Sequence, residues 1–86
     1  MTITKKIVAG KIAAYLHRRI SLAELVAWAE NAMMDGRFEE SQASRIATVV
    51  ARLGVADVRA FGLAWEDCEK LLRQLGYAAK INIVAA

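Results

Sequence analysis

Ser21-Leu22-Ala23-Glu24-Leu25-Val26-Ala27-Trp28-Ala29-Glu30-Asn31-Ala32-Met33-Met34-Asp35-Gly36 is the stretch from which the fold can be read. A serine followed three residues later by glutamate, directly ahead of an apolar run, is a capping box. The serine side chain takes the N3 amide and the glutamate returns to the cap amide. Apolar residues then recur at helical spacing through Leu22, Leu25, Val26, Ala29, Ala32 and Met33, with Trp28 on the flank. The opposite side offers only Glu24, Glu30, Asn31 and Asp35 among Ala23, Ala27 and Met34. So thin a polar face predicts a central helix over residues 21–35, closed by Gly36.

Working towards the N-terminus, Thr4 is a natural N-cap for a helix over about 4–19. Val8, Ala9, Ile12, Tyr15 and Leu16 share one arc, while Ile3, Ile7, Gly10, Ala14 and His17 form a second stripe on the other side. Two apolar faces imply two packed neighbours, one of which could be another chain. Working towards the C-terminus, a link over Gly36–Glu40 leads to a helix over about 41–53. There Ala43, Ile46, Ala47, Val50 and Leu53 are expected inward, with Arg45, Thr48 and Arg52 outward. A short helix is expected over 56–61 and another over 65–75, whose face is Trp65, Cys68, Leu71, Leu72 and Leu75. Gly36, Gly54, Gly62 and Gly76 each follow such a segment, where a left-handed cap favours glycine.

After Gly76 the period falls from 3.6 to 2. Tyr77, Ala79, Ile81 and Ile83 alternate with Ala78, Lys80, Asn82 and Val84, which predicts a strand over 77–84. A lone strand leaves backbone donors and acceptors unpaired. Thr2-Ile3-Thr4 is the one internal partner on offer; otherwise the partner strand belongs to another molecule. The expected fold is therefore mainly α: one domain over 1–86, a small bundle of four to five short helices with one C-terminal β-strand.

Composition limits what such a domain can do. The chain has 86 residues, of which 57% are hydrophobic, but 17 of these are alanine. The remaining large apolar groups suffice for one core without a deep substrate cavity. There is one cysteine and no proline, which excludes a disulfide framework and a cysteine-rich metal shell. No apolar run reaches the roughly 18 residues a membrane span needs. Met1 to Lys6 does not read as a secretory signal, so a cytoplasmic location is expected.

Catalytic constellations are not expected. His17 and Cys68 are the sole histidine and cysteine. Cys68 falls in an apolar stripe, where a thiol behaves as a small hydrophobe. Glu66, Asp67 and Glu69 are explained by the dipole of the helix they begin, and Glu39-Glu40 by a solvated helix entry. The glycines lie too far apart for a phosphate loop. No enzyme activity, metal or cofactor is expected.

Two function classes remain. In the first, the chain is a protein–protein interaction module, a homodimer or a holder of another protein, comparable in size and architecture with antitoxins, immunity proteins and adaptor subunits. Its expected contact residues are Ile3, Ile7, Ala14, Trp28, Met34, Tyr77, Ile81 and Ile83. Strand addition would supply affinity through backbone hydrogen bonds. In the second, the chain is a nucleic-acid-binding accessory or regulator. The net charge of +3 conceals an asymmetry, because residues 1–20 carry Lys5, Lys6, Lys11, Arg18 and Arg19 with no acid. These residues, with Arg45 and Arg52, are its candidate phosphate contacts. A helix-turn-helix reading is opposed by the long link from Met33 to Ser41 and its acids Asp35, Glu39 and Glu40.

Overall fold

The computed structural model describes residues 2–59 and 61–79. In chain order these form β1 (Thr2–Ile3), α1 (Lys5–Leu16), α2 (Leu22–Asp35), β2 (Arg37–Phe38), a 3-10 turn (Glu40–Gln42), α3 (Ala43–Gly54) and α4 (Trp65–Gln74). The protein is mainly helical, as its periodicity predicts, with a small parallel sheet that the sequence did not announce.

Helix α2 begins as its capping box dictates. Glu24 N donates to Ser21 Oγ at 3.1 Å, and Ser21 N donates to Glu24 Oε1 at 3.1 Å. Its buried face is Leu25, Val26, Ala29 and Ala32, and its largest interface is with α3. Met33, expected inward, is 46% exposed. On α3 the buried side chains are Ile46, Val49, Val50 and Leu53. Val8 and Ile12 of α1 and Cys68, Leu71, Leu72 and Leu75 around α4 complete one continuous core. Tyr15, Leu16, Trp28, Phe38 and Leu63 pack against its margin.

β1 pairs with β2 in parallel, Thr2 opposite Arg37 and Ile3 opposite Phe38. Glu39 N then donates to Ile3 O at 3.0 Å. A parallel pair needs a long crossover, and the α1–α2 hairpin provides it. So short a pair could not stand alone; it is held because Ile3 is buried in the core and Phe38 packs against it. Gly36 makes the approach possible. A Cβ there would lie 2.6 Å from Ala32 O and 2.9 Å from Ile3 Cγ1. Gly36 has φ −80° and ψ 151°, so it serves here for space and not, as expected, for a left-handed cap.

Helix ends account for the other departures. α1 stops at Leu16 instead of running to about 19, because Arg18 has φ 59°. Arg18 N donates to Tyr15 O at 3.0 Å and Arg19 N to Ala14 O at 2.8 Å, the paired bonds of a Schellman cap. Gly76, φ 90°, closes α4 in the same manner, with Gly76 N to Arg73 O at 2.9 Å and Tyr77 N to Leu72 O at 2.8 Å. α3 begins at Ala43, after the 3-10 turn, instead of at 41.

The short helix expected over 56–61 is replaced, at its described residues, by successive turns. Val58 N donates to Val55 O at 3.0 Å, Phe61 N to Val58 O at 2.9 Å and Gly62 N to Val58 O at 3.1 Å. Six residues are too few to offset the cost of helix nucleation. Ala56 alone is buried, whereas Val58 and Phe61 are exposed, so no apolar stripe holds a helix there. Of the strand expected over 77–84, Tyr77–Ala79 are described and are not in a strand. The rest, including Ile81 and Ile83, lies outside the described residues. Thr2–Ile3, the internal partner considered for it, is paired with β2.

Candidate functional site

His17 is exposed just beyond the end of α1. Among the described residues no group of three His, Cys, Asp or Glu side chains is arranged to hold a metal. Cys68 is fully buried on α4. Burial pushes its thiol up to about 11, reinforced by the neighbouring Asp67 carboxylate and opposed by Arg52. It packs as a member of the hydrophobic core. No helix among the described residues is long and apolar enough to cross a membrane.

The expected partner-contact residues separate into three groups. Ile3 is only 3% exposed and belongs to the core, because β1 turns it inward. It is therefore not a surface contact. Ile7, Ala14 and Trp28 are half-buried; Trp28 packs on the core, with Lys11 Nζ 5.6 Å from its ring centroid, within cation–π range. Met34, at 79%, and Tyr77, at 36%, are exposed. To these the structure adds Met33 beside Met34, and Val58 and Phe61 on the loop between α3 and α4, at 46% and 56% exposure. The loop pair was missed because its spacing reads equally well as the inner face of a short helix.

The expected phosphate contacts also disperse. Lys5 and Lys6 are exposed at the start of α1, and Arg45 is exposed on α3. Lys11 covers Trp28. Arg52 is turned inward to brace the α3–α4 loop: its Nη2 donates to Gly62 O at 3.0 Å and lies 3.8 Å from Asp67 Oδ2. Its guanidinium carbon is 5.6 Å from the Phe61 ring centroid. Asp67 Oδ2 also accepts from Ala64 N at 2.9 Å, capping α4. Arg52 thus clasps the loop between α3 and α4 to the start of α4.

Arg18 and Arg19 remain exposed. They border a cleft of about 640 Å³ between the end of α1, the start of α2 and the residues leading into α4. Tyr15, Leu16, Ile20, Leu63 and Trp65 supply its apolar lining, and Glu24 lines it too. A wider, shallow hollow of about 880 Å³ beside the start of α3 is lined by polar side chains, among them Glu40, Arg45 and Arg73. No protein-family model, curated protein or solved structure matches this chain.

Proposed function

We propose that the protein is an interaction module that holds another polypeptide, and that its simplest partner is a second copy of itself. The observation that carries this reading is the adjacent pair Met33 and Met34, 46% and 79% exposed, on the last turn of α2, a helix whose buried face is packed on α3. Unbranched, polarizable side chains on a rigid support suit an adaptable apolar contact. In a two-fold dimer each copy would present the same pair, so the patch complements itself.

Sedimentation equilibrium of the full chain tests this. A reversible monomer–dimer equilibrium is expected, weakened at least about tenfold by Met34→Lys. A monomer at every attainable concentration removes the reading, as does a dimer indifferent to both Met33→Lys and Met34→Lys. Removal of residues 80–86 tests separately whether the tail contributes a strand to the contact. Unchanged self-association would confine the interface to the helices.

A further inference from the structure

The cleft beside Arg18 combines three properties not found together at the other hollows described above. It has two aromatic side chains, Tyr15 and Trp65, both half-buried and so held at the margin of the protein with ring surface still accessible. It has two exposed guanidinium groups, Arg18 and Arg19, at one side. And one of those arginines sits in a backbone conformation that arginine disfavours. At φ 59° it occupies the position that Gly76 fills at the end of α4, where glycine carries no Cβ penalty. Strained backbone of this kind concentrates at sites where the side chain has a task. A glycine would cap α1 better but would leave the cleft with one cation fewer.

We propose that this cleft binds a nucleotide unit, the base stacking on Trp65 and Tyr15 and the phosphate held by Arg18 and Arg19. A planar base needs an aromatic surface, and phosphate oxygens match the fork of a guanidinium. Base–aromatic stacking with an arginine-lined path for the backbone is the general arrangement for unpaired nucleic acid. Glu24, which also lines the cleft, accepts the Ser21 N–H. Residues 1–20, which supply both arginines, carry five cations and no acid. Free mononucleotides and single strands share this chemistry. The inference is independent of self-association through Met33 and Met34.

Fluorescence anisotropy of a labelled oligo(dT) at low salt tests it, with unlabelled oligo(dT), dTMP, inorganic phosphate and a glutamate-rich peptide as competitors. Saturable binding is expected, with a log–log salt slope of about −0.7 for the one phosphate held. Trp65→Ala should weaken it about tenfold. Arg18→Gly provides the sharper test. It should raise the melting temperature by about 4 °C or more, since it relieves the strained backbone, and yet weaken binding and flatten the salt slope. A merely structural role for Arg18 would not move these two readouts in opposite senses. Competition by dTMP as strong as by oligo(dT), nucleotide for nucleotide, assigns a free nucleotide; competition by the strand alone assigns single-stranded nucleic acid. Three results overturn the proposal: no binding at low salt, equal competition by the acidic peptide or by phosphate, or a loss with Arg45→Ala as large as with Arg18→Gly.

Discussion

Replacing glycine by alanine at three positions should give three different outcomes, and Gly36 is the decisive one. Its backbone is in an ordinary extended region, so propensity alone would predict a gain from alanine. Space predicts the reverse. The new methyl would lie 2.6 Å from Ala32 O, a backbone atom that already accepts the Gly36 N–H, and 2.9 Å from the buried Ile3. Neither neighbour is a loose side-chain end, so β1 must shift away from α2 and its short pairing with β2 must deform. Overpacking of this kind costs about 1–3 kcal/mol, against a total of about 4–13 kcal/mol for a chain of this length. The melting temperature should fall by about 8–16 °C for a 2 kcal/mol loss. Gly10 lies inside α1, and a Cβ at that position would meet nothing within 4 Å. Gly10→Ala should therefore stabilise by about 0.5–1 kcal/mol. Gly54, whose nearest neighbours would be Glu30 Cγ at 3.9 Å and Ala29 Cβ at 4.0 Å, should be neutral to mildly stabilising. Urea melts followed by circular dichroism at constant m-value decide the matter. Gly36→Ala as stable as the parent would refute the packing of β1 on the end of α2.

Arg52→Ala should destabilise by about 1–2 kcal/mol, chiefly through the charge-assisted bond to Gly62 O, since a half-exposed pair at 3.8 Å contributes little. Arg52→Lys should recover only part of this in the same melts, because a single ammonium cannot reproduce the planar fork set beside Phe61; full recovery would show that charge alone matters. Cys68 gives a pH dependence. Its thiol ionises near 9.0 when unfolded and near 11 when folded, so the folded chain holds the proton longer and stability falls as pH rises through that interval. The difference in unfolding free energy between the parent and Cys68→Ala should shrink by up to about 2–3 kcal/mol over the same range. A difference independent of pH would show that the thiol is not desolvated.

Helices α2, α3 and α4 were legible because each repeats its apolar residues along one arc, and α1 because the Thr4 cap precedes an apolar row through Val8, Ile12 and Leu16. The Ser21–Glu24 box and the Thr4 cap, where Ile7 N donates to Thr4 Oγ1 at 3.2 Å, are local chemistry and hold whatever the rest of the chain does. Arg37–Phe38 was not legible, because two residues cannot display a period. Its pairing with Thr2–Ile3 spans the whole α1–α2 hairpin and depends on the absence of a Cβ at Gly36. The segment over 56–61 failed for the opposite reason. Val58 and Phe61, three apart, would share one face of a helix, but the fold leaves both exposed, buries Ala56 instead and uses Arg52 to clasp the end of the loop.

The two Schellman caps show why the cleft could not be located from sequence. Gly76 announces its cap, since glycine alone is free of steric cost at φ 90°. Arg18 conceals an equivalent cap, since an arginine following a helical run extends the helix on every propensity scale. Reading the helix through to residue 19 leaves Arg18 and Arg19 as two of the five cations of the segment over residues 1–20. The left-handed turn instead brings them beside Trp65, a residue 47 positions further along the chain. Lys11 is meanwhile drawn off by Trp28 and Arg52 by Gly62. The five cations of residues 1–20 are therefore divided by the fold: Lys5, Lys6, Arg18 and Arg19 stay exposed, and Lys11 lies over Trp28. The Arg18–Arg19 margin sets exposed charge in the same cleft as Tyr15 and Trp65, and it owes its position to a backbone conformation that costs stability.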